Sequence, residues 1–433
     1  MHEDLKQRVC EAIDRHRDRI IGLGNAIRDT PELGFREKRS AATVARCFAE
    51  FGMPYADGLA LTGVKTVLEG DSNGPTIGLL GELDSLPCTD SPFTDPETGT
   101  AHTCGHNAQV ANCVGAAIGL KEAGILSSLA GKVACVAVPA EEFVEIEYRM
   151  DLRRKGVIEF LGGKPEMLRL GHLDDIDMAM LVHAANGSPG PKLLTDSTTN
   201  GFVAKSVRFK GKAAHAGMAP HQGVNALNAL ALAIMNINAQ RETFRDEDVV
   251  RVHQIVTHGG DVVNVVPETV RMEMFVRAKT VEAIQDANDK VDRALRAAAM
   301  AVGADVEIET VPGYLPRVRE TALTGVLADN FARLIGPTNL EVEGHAAGST
   351  DTGDLSHLMP MAEVKAGGFH GTFHTPTHRV ADEELAYVVP AKAMAMAVVD
   401  LLADNARVAR EILAGFRPKM TKDQYLAYLR SFG

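Results

Sequence analysis

Cys104 and His106 stand two residues apart in the run Ala101-His102-Thr103-Cys104-Gly105-His106. A thiolate and an imidazole on a loop that opens a helix can face one point, and such S and N donors are usual ligands of Zn2+-like ions. A buried Cys beside an unrelated His has the same spacing. Glu141 and Glu142 follow directly on the apolar run 133–138. Ionised groups at a strand end near a core need partners. One could hold a cation while the other moves protons; a helix N-terminus that favours acids is the plainer alternative. Asp84, in Gly81-Glu82-Leu83-Asp84, could fix the tautomer of a ligating imidazole or close an Asx turn. His183 ends an apolar strand, a place where a His is more often a packed core residue. His370, His374 and His378 crowd into one stretch ahead of Asp382 and Glu383. None of these signals decides alone. Together they bring one Cys, several His and paired Glu largely to strand ends.

The elements that must position them alternate. Apolar runs at 64–68, 76–80 and 133–138 predict strands, and the small-residue pattern at 111–120 predicts a helix between them. The first fifty residues predict two amphipathic helices broken near 31–34. This order points to an α/β fold with a largely parallel sheet, whose ligands bind beyond the C-terminal strand ends. From about residue 200 the pattern becomes strand 202–210, helix 223–238, strands 249–257 and 269–277, and helix 281–302. That order fits a small α+β, ferredoxin-like domain at 200–311 inserted into a catalytic domain of residues 1–199 and 312–433. The stretch 415–433 is expected to be a surface tail or helix.

With 433 residues the chain is long for one domain, and its formal net charge of -12 disfavours nucleic acid as a partner. The N-terminus mixes charge with apolar residues and does not resemble a signal peptide. No run is expected to supply the roughly 18–20 apolar residues of a membrane span. Six scattered cysteines fit reduced thiols and a cytoplasmic location.

The motifs then fall into a known order. The chain resembles the metallopeptidase and amidohydrolase family of aminoacylases, hippurate hydrolases, auxin-conjugate hydrolases and aminobenzoyl-glutamate hydrolases. The resemblance rests on segments 31–35, 81–87, 103–106, 139–142 and 211–215 with Pro220-His221, then 264–267, 348–351 and 373–376. It implies a zinc-peptidase-like fold with an inserted lid and dimerisation domain. It implies metal ligation by Cys104, His106, Glu142, His183 and His374, with Cys104 bridging. Glu141 would be the general base toward the attacking water, and Asp84 the carboxylate behind a ligand. His215 would reach the partner subunit's site to stabilise an oxyanion, and Asn264 would bind substrate. The implied cofactor is a divalent transition metal, Mn2+ or Zn2+ foremost, one or two per chain. The implied assembly is a homodimer or higher homo-oligomer acting on a small-molecule substrate.

Departures sharpen the question. Where most acyl-amino-acid hydrolases carry Asp and a further His, this chain has Asn107 and Gln109, which suggests weaker or altered metal retention. A segment with Tyr148, Arg149 and further basic residues replaces the usual Gly-rich loop after the Glu pair, and reads as a solvated helix face or a reshaped pocket. Residues 348–354 lean toward the aminobenzoyl-glutamate branch. The chain also resembles 5-nitroanthranilate aminohydrolases, which remove an aromatic amine. The expected activity is therefore hydrolysis of a C–N bond in a small, carboxylate-bearing and aromatic substrate, by amide cleavage or by deamination. A catalytically inactive metabolite-binding or assembly subunit is the competing reading, and retention of Glu141 and the ligand set argues against it.

Overall fold

Runs rich in Val, Ile, Leu and Ala make strands whose alternate residues enter opposite layers. The computed structural model describes residues 2–195 and 197–432. Its strands of three residues or more are β1 (Tyr55–Leu59), β2 (Gly63–Glu69), β3 (Ser72–Glu82), β4 (Ala130–Val138), β5 (Met178–Ala184), β6 (Leu193–Thr195), β7 (Gly201–Lys210), β8 (Arg251–His258), β9 (Thr269–Ala278), β10 (Asp305–Pro312), β11 (Leu340–Val342) and β12 (Met361–Ala366). The helices are α1 (Glu3–Arg15), α2 (Arg17–Arg28), α3 (Lys38–Glu50), α4 (His106–Glu122), α5 (Ile146–Arg154), α6 (Gly163–Leu170), α7 (Ala226–Ala239), α8 (Val281–Val302), α9 (Thr321–Ile335), α10 (Thr352–Ser356), α11 (Val389–Gly415) and α12 (Lys422–Arg430).

The eight-stranded sheet has the order β1-β2-β4-β3-β5-β12-β6-β11. Its centre, β4-β3-β5-β12, is parallel; β1, β2 and β6 pair antiparallel with their inner neighbours, and the edge strand β11 pairs parallel with β6. Leu79, Val133, Cys135, Met180 and Val182 face a core shared with α1, α2, α4, α9 and α11. Leu80, Val136, Val138 and Leu181 face the other core, with α6 and α12. Strands covered on both sides need apolar residues at successive positions, which is why these runs are nearly continuous.

Helix α4 is buried from His106 to Leu120. Its approach to the sheet depends on Gly81, where a Cβ would meet Gln109 O and Val110 Cα at 2.8 Å. Gly81→Ala forces two rigid backbones apart and is expected to cost about 1–3 kcal/mol, read as a lower urea midpoint.

The smaller sheet has the order β8-β9-β7-β10, all antiparallel. Val270, Met272, Met274 and Val276 point to α7 and α8 and close a separate core. The period of two sends Phe275 and Arg277 to the opposite face.

Four expectations need correction. The N-terminal helical stretch before Pro31 is two helices, interrupted at His16, so three precede β1. The helix spanning Glu384–Gly415 is long and apolar enough to cross a membrane, yet 78% of its most apolar window is buried inside the protein. It is a core helix, and its Asp400 pairs with the buried Lys6 at 2.5 Å. The C-terminal segment forms a helix, as one expected alternative had it, but α12 packs inward and buries Tyr425, Leu426 and Leu429. The segment after the Glu pair is not a purely solvated face. Phe143, Ile146 and Met150 are buried there, and Arg149 is 0% exposed.

Candidate metal centre

The residues of the site come from five places. β3 delivers Glu82 and then Asp84, β4 delivers Glu141 and Glu142, and β5 ends on His183 and Ala184. The loop into α4 carries Cys104 and His106, and the loop after β12 carries His374. Gly105 has φ 86°, and a Cβ there would meet the Ala184 Cβ at 2.8 Å. Only glycine lets this loop sit against the end of β5. The His374 N–H donates to Thr103 O at 2.9 Å, tying the two loops together. His374 itself has φ 59°, and Ala140, before the Glu pair, has φ 50°. Such backbone costs of order 1–3 kcal/mol per residue and persists where the surroundings over-determine it. For Ala140 they include its own N–H on Glu37 Oε1 at 2.7 Å and its carbonyl, which accepts from Gly163 N at 3.0 Å.

The structure brings Cys104, His106, Glu141, Glu142, His183 and His374 together around one point. Cys104 Sγ lies 3.6 Å from His183 Nε2, and His374 Nε2 lies 3.2 Å from Glu142 Oε1. Donor atoms of Cys104, His106 and His183 fall within 4.8 Å of one another, as do those of Cys104, Glu142 and His374. Two triads therefore share the one thiolate.

The tautomers agree with a cation at the centre. His106 Nδ1 faces two acceptors, Asp84 O at 3.0 Å and Asp84 Oδ1 at 3.2 Å, so Nδ1 carries the proton. His183 Nδ1 is committed to Ala184 O at 3.1 Å in the same way. Each leaves its Nε2 lone pair turned inward, the arrangement that orients histidines for metals. Asp84 is fully buried, and its Oδ2 accepts the Glu142 N–H at 2.8 Å, so one carboxylate orients two of these groups. His106 Nε2 is buried without a hydrogen-bond partner, and carboxylate oxygens of Glu82 and Glu142 lie 3.2 Å and 4.0 Å from it. Orphaned buried acceptors facing one another are unfavourable unless a cation lies between them. The residues present fit a divalent metal.

Electrostatics agree. Burial and Glu142 push the Cys104 thiol up, but His183 and His106 outweigh them and bring it down to about 6, so it is a thiolate at neutral pH. Burial, then the charges of Glu82 and Glu142, push the Glu141 carboxyl well above its usual range.

A peptidase dimerisation domain of the M20 type matches residues 198–302. Xaa-Arg dipeptidase of Mus musculus is 28% identical over 460 residues, covering 98% of this chain and 95% of that protein. N-acetyl-L-cysteine deacetylase of Bacillus subtilis is 28% identical over 324 residues, covering 72% and 71%. The matched domain and these relatives are consistent with the M20 family of metallopeptidases and amidohydrolases. A dinuclear metal-binding M20 peptidase from Bacillus subtilis shares the fold, with TM-score 0.65 and 22% identity over 90% of this chain and 99% of that one. The relatives are named as a dipeptidase, a deacetylase and a peptidase, all of which act on C–N bonds.

Not every candidate joins the cluster. His215 is exposed, its Nδ1 accepting from Gly217 N at 3.2 Å and Met218 N at 3.1 Å, and Asn264 is exposed nearby. Neither has a hydrogen bond or ion pair to the cluster among the described residues. Asn107 turns away from the cluster and donates to Gly24 O at 3.2 Å and to Tyr387 Oη at 3.1 Å. His378 is buried and stacks on Phe369 at 5.6 Å, while His370 is exposed.

Sequence reasoning missed three residues. Glu82 Oε2 lies 3.2 Å from His106 Nε2. Lys164, wholly buried, pairs with Glu82 at 2.5 Å and also with Asp351. Arg277 lies over the Phe202 and Phe275 rings at 5.1 Å each, and its Nε donates to His253 Nε2 at 3.2 Å. It is largely desolvated, feels the charges of Glu141 and Glu142, and has no carboxylate in ion-pair contact among the described residues. Its place in an alternating strand was the one signal available, and that signal also describes a solvent-facing residue.

Proposed function

We propose that this protein hydrolyses the amide bond of a small substrate bearing a free carboxylate. The observation that carries the reading is the pair of donor triads sharing Cys104, with Glu141 beside them and outside both triads. Cys104, His106 and His183 would hold one divalent ion, and Cys104, Glu142 and His374 a second, with Zn2+ and Mn2+ both suited to mixed S, N and O donors. When bound, such ions polarise a carbonyl and lower the pKa of water to roughly 7.

The chain's own residues do the rest. Glu141 takes a proton from the attacking water and returns it to the departing nitrogen as the C–N bond breaks, giving a carboxylate and an amine. The phenol of Tyr314 donates to Glu141 O and holds that backbone. Arg277 receives the substrate carboxylate, the partner that a desolvated guanidinium otherwise lacks. Its neighbours Phe202, Phe275 and Phe143 form an aromatic wall, with Phe143 and Phe202 centroids 5.1 Å apart. His215 and Asn264 lie on the inserted domain, which residues 200–311 would form as a lid. We assign them to the site of a second copy, where an imidazole would stabilise the oxyanion. The edge strand β8, with Ile255 and Val256 exposed, is consistent with such pairing. All six cysteines are free, which fits a reducing cytoplasm.

The test uses metal-loaded protein against dipeptides ending in Arg, N-acyl amino acids, aminobenzoyl-glutamate and 5-nitroanthranilate. Amide cleavage that a chelator abolishes and Zn2+ or Mn2+ restores is the expected result. Ammonia released from 5-nitroanthranilate, with every amide left intact, would replace this reading with aromatic deamination.

A further inference from the structure

Glu82 is 1% exposed, and its two carboxylate oxygens have different fates. Oε1 accepts from the Lys164 ammonium at 2.5 Å. Oε2 is buried with no hydrogen-bond donor, although His106 Nε2 is 3.2 Å away and is itself unpartnered. Glu141 Oε2 approaches the same Nε2 at 3.7 Å. Donor atoms of Glu82, His106 and Glu141 all fall within 4.8 Å of one another, and all three residues are buried. Oxygens of two carboxylates and the ring nitrogen of His106 therefore converge on one buried point. One proton on His106 Nε2 would engage only one of the two carboxylates, whereas a cation at that point engages both at once.

Lys164 explains the aim of Glu82. Its ammonium also pairs with Asp351, whose Oδ2 accepts the Lys164 backbone N–H at 3.1 Å. Asp351 is itself fully buried. The lysine is therefore held at both its backbone and its side-chain end, and it fixes one oxygen of Glu82 so that the other faces His106. An ammonium has no lone pair to offer a cation, so it compensates charge without competing for the ion.

We propose that Glu82 is a further metal-binding carboxylate on the His106 side of the centre, aimed by the Lys164–Asp351 pair. This rests on the reading that Cys104 and its two triads hold metal. The test measures zinc or manganese retained per chain, and its affinity by chelator competition, in wild type, Glu82→Gln, Glu82→Asp and Cys104→Ala. Cobalt-loaded protein supplies a visible spectrum that reports the donor set.

Glu82→Gln is expected to weaken one ion by about 10–100-fold, the range seen when groups supporting metal ligands are removed, and to shift the cobalt bands. Glu82→Asp keeps the charge beside Lys164 but withdraws the oxygen from His106, so it too loses affinity. Should Glu82→Gln fail to fold, Glu82→Asp decides. Wild-type affinity and spectrum in a folded Glu82→Asp overturn the proposal, because they leave Glu82 only the task of balancing Lys164. If Cys104→Ala also keeps every ion, the metal reading itself falls, which separates the two failures.

Discussion

Glu141→Gln lowers kcat by about 10^2–10^4-fold, the share a positioned general base supplies, while bound metal and KM stay near wild type. The substitution preserves volume and the backbone geometry fixed by Tyr314, and it removes only the capacity to accept a proton. The separation of roles follows from position. Glu142 Oε1 pairs with His374 and belongs to a donor triad with Cys104. Glu141 belongs to neither Cys104 triad. Burial and the charges of Glu82 and Glu142 give its carboxylate a strong affinity for a proton, which suits a group that must take one and hold it until nitrogen leaves. Glu142→Gln is the control, because it loses metal as well as turnover. A Glu141→Gln enzyme that keeps more than a tenth of wild-type kcat would remove Glu141 from the chemistry. Metal content and circular dichroism in the same preparation exclude a trivial loss of fold.

Much of this site was legible because its chemistry is locally encoded. Cys104-Gly105-His106 and Glu141-Glu142 are short motifs at the ends of predicted strands, and the sheet brings those ends to one edge. Strand and helix runs were legible for the same reason: β2, β3, β4 and α8 carry periodic apolar patterns. The boundary at His16 was not, since neither Pro nor Gly marks it and the amphipathic pattern continues across it. Helix α11 misled in another way. Packing on several sides makes a soluble core helix as apolar as a membrane span, and composition alone does not separate the two. Lys164 and Arg277 were missed, and Arg149 was read as either solvated or pocket-forming, because charged residues are normally solvent-facing. Their burial depends on partners distant in sequence: Asp351 for Lys164, the carbonyls of Leu161 and Glu142 for Arg149, and two aromatic rings for Arg277.

Arg277→Met is expected to lower kcat/KM for a carboxylate-bearing amide by about 30–3000-fold, mostly through KM, equivalent to the roughly 2–5 kcal/mol lost when one partner of a desolvated charge pair is truncated. Methionine keeps the contact with Phe202 and Phe275, so packing of the four-stranded sheet survives. The discriminating measurement pairs the variant with a substrate whose carboxylate has been amidated. If Arg277 holds that carboxylate, the amidated substrate is poor with wild type and no worse with the variant, because the contact is already gone. If Arg277 acts only by lending positive charge to Glu141 and Glu142, both substrates suffer equally and the loss appears in kcat. Arg277→Lys refines the answer. An ammonium keeps the charge but not the paired N–H donors or the flat face over the two rings. It therefore recovers only part of the affinity if binding is bidentate, and nearly all of it if charge alone is needed.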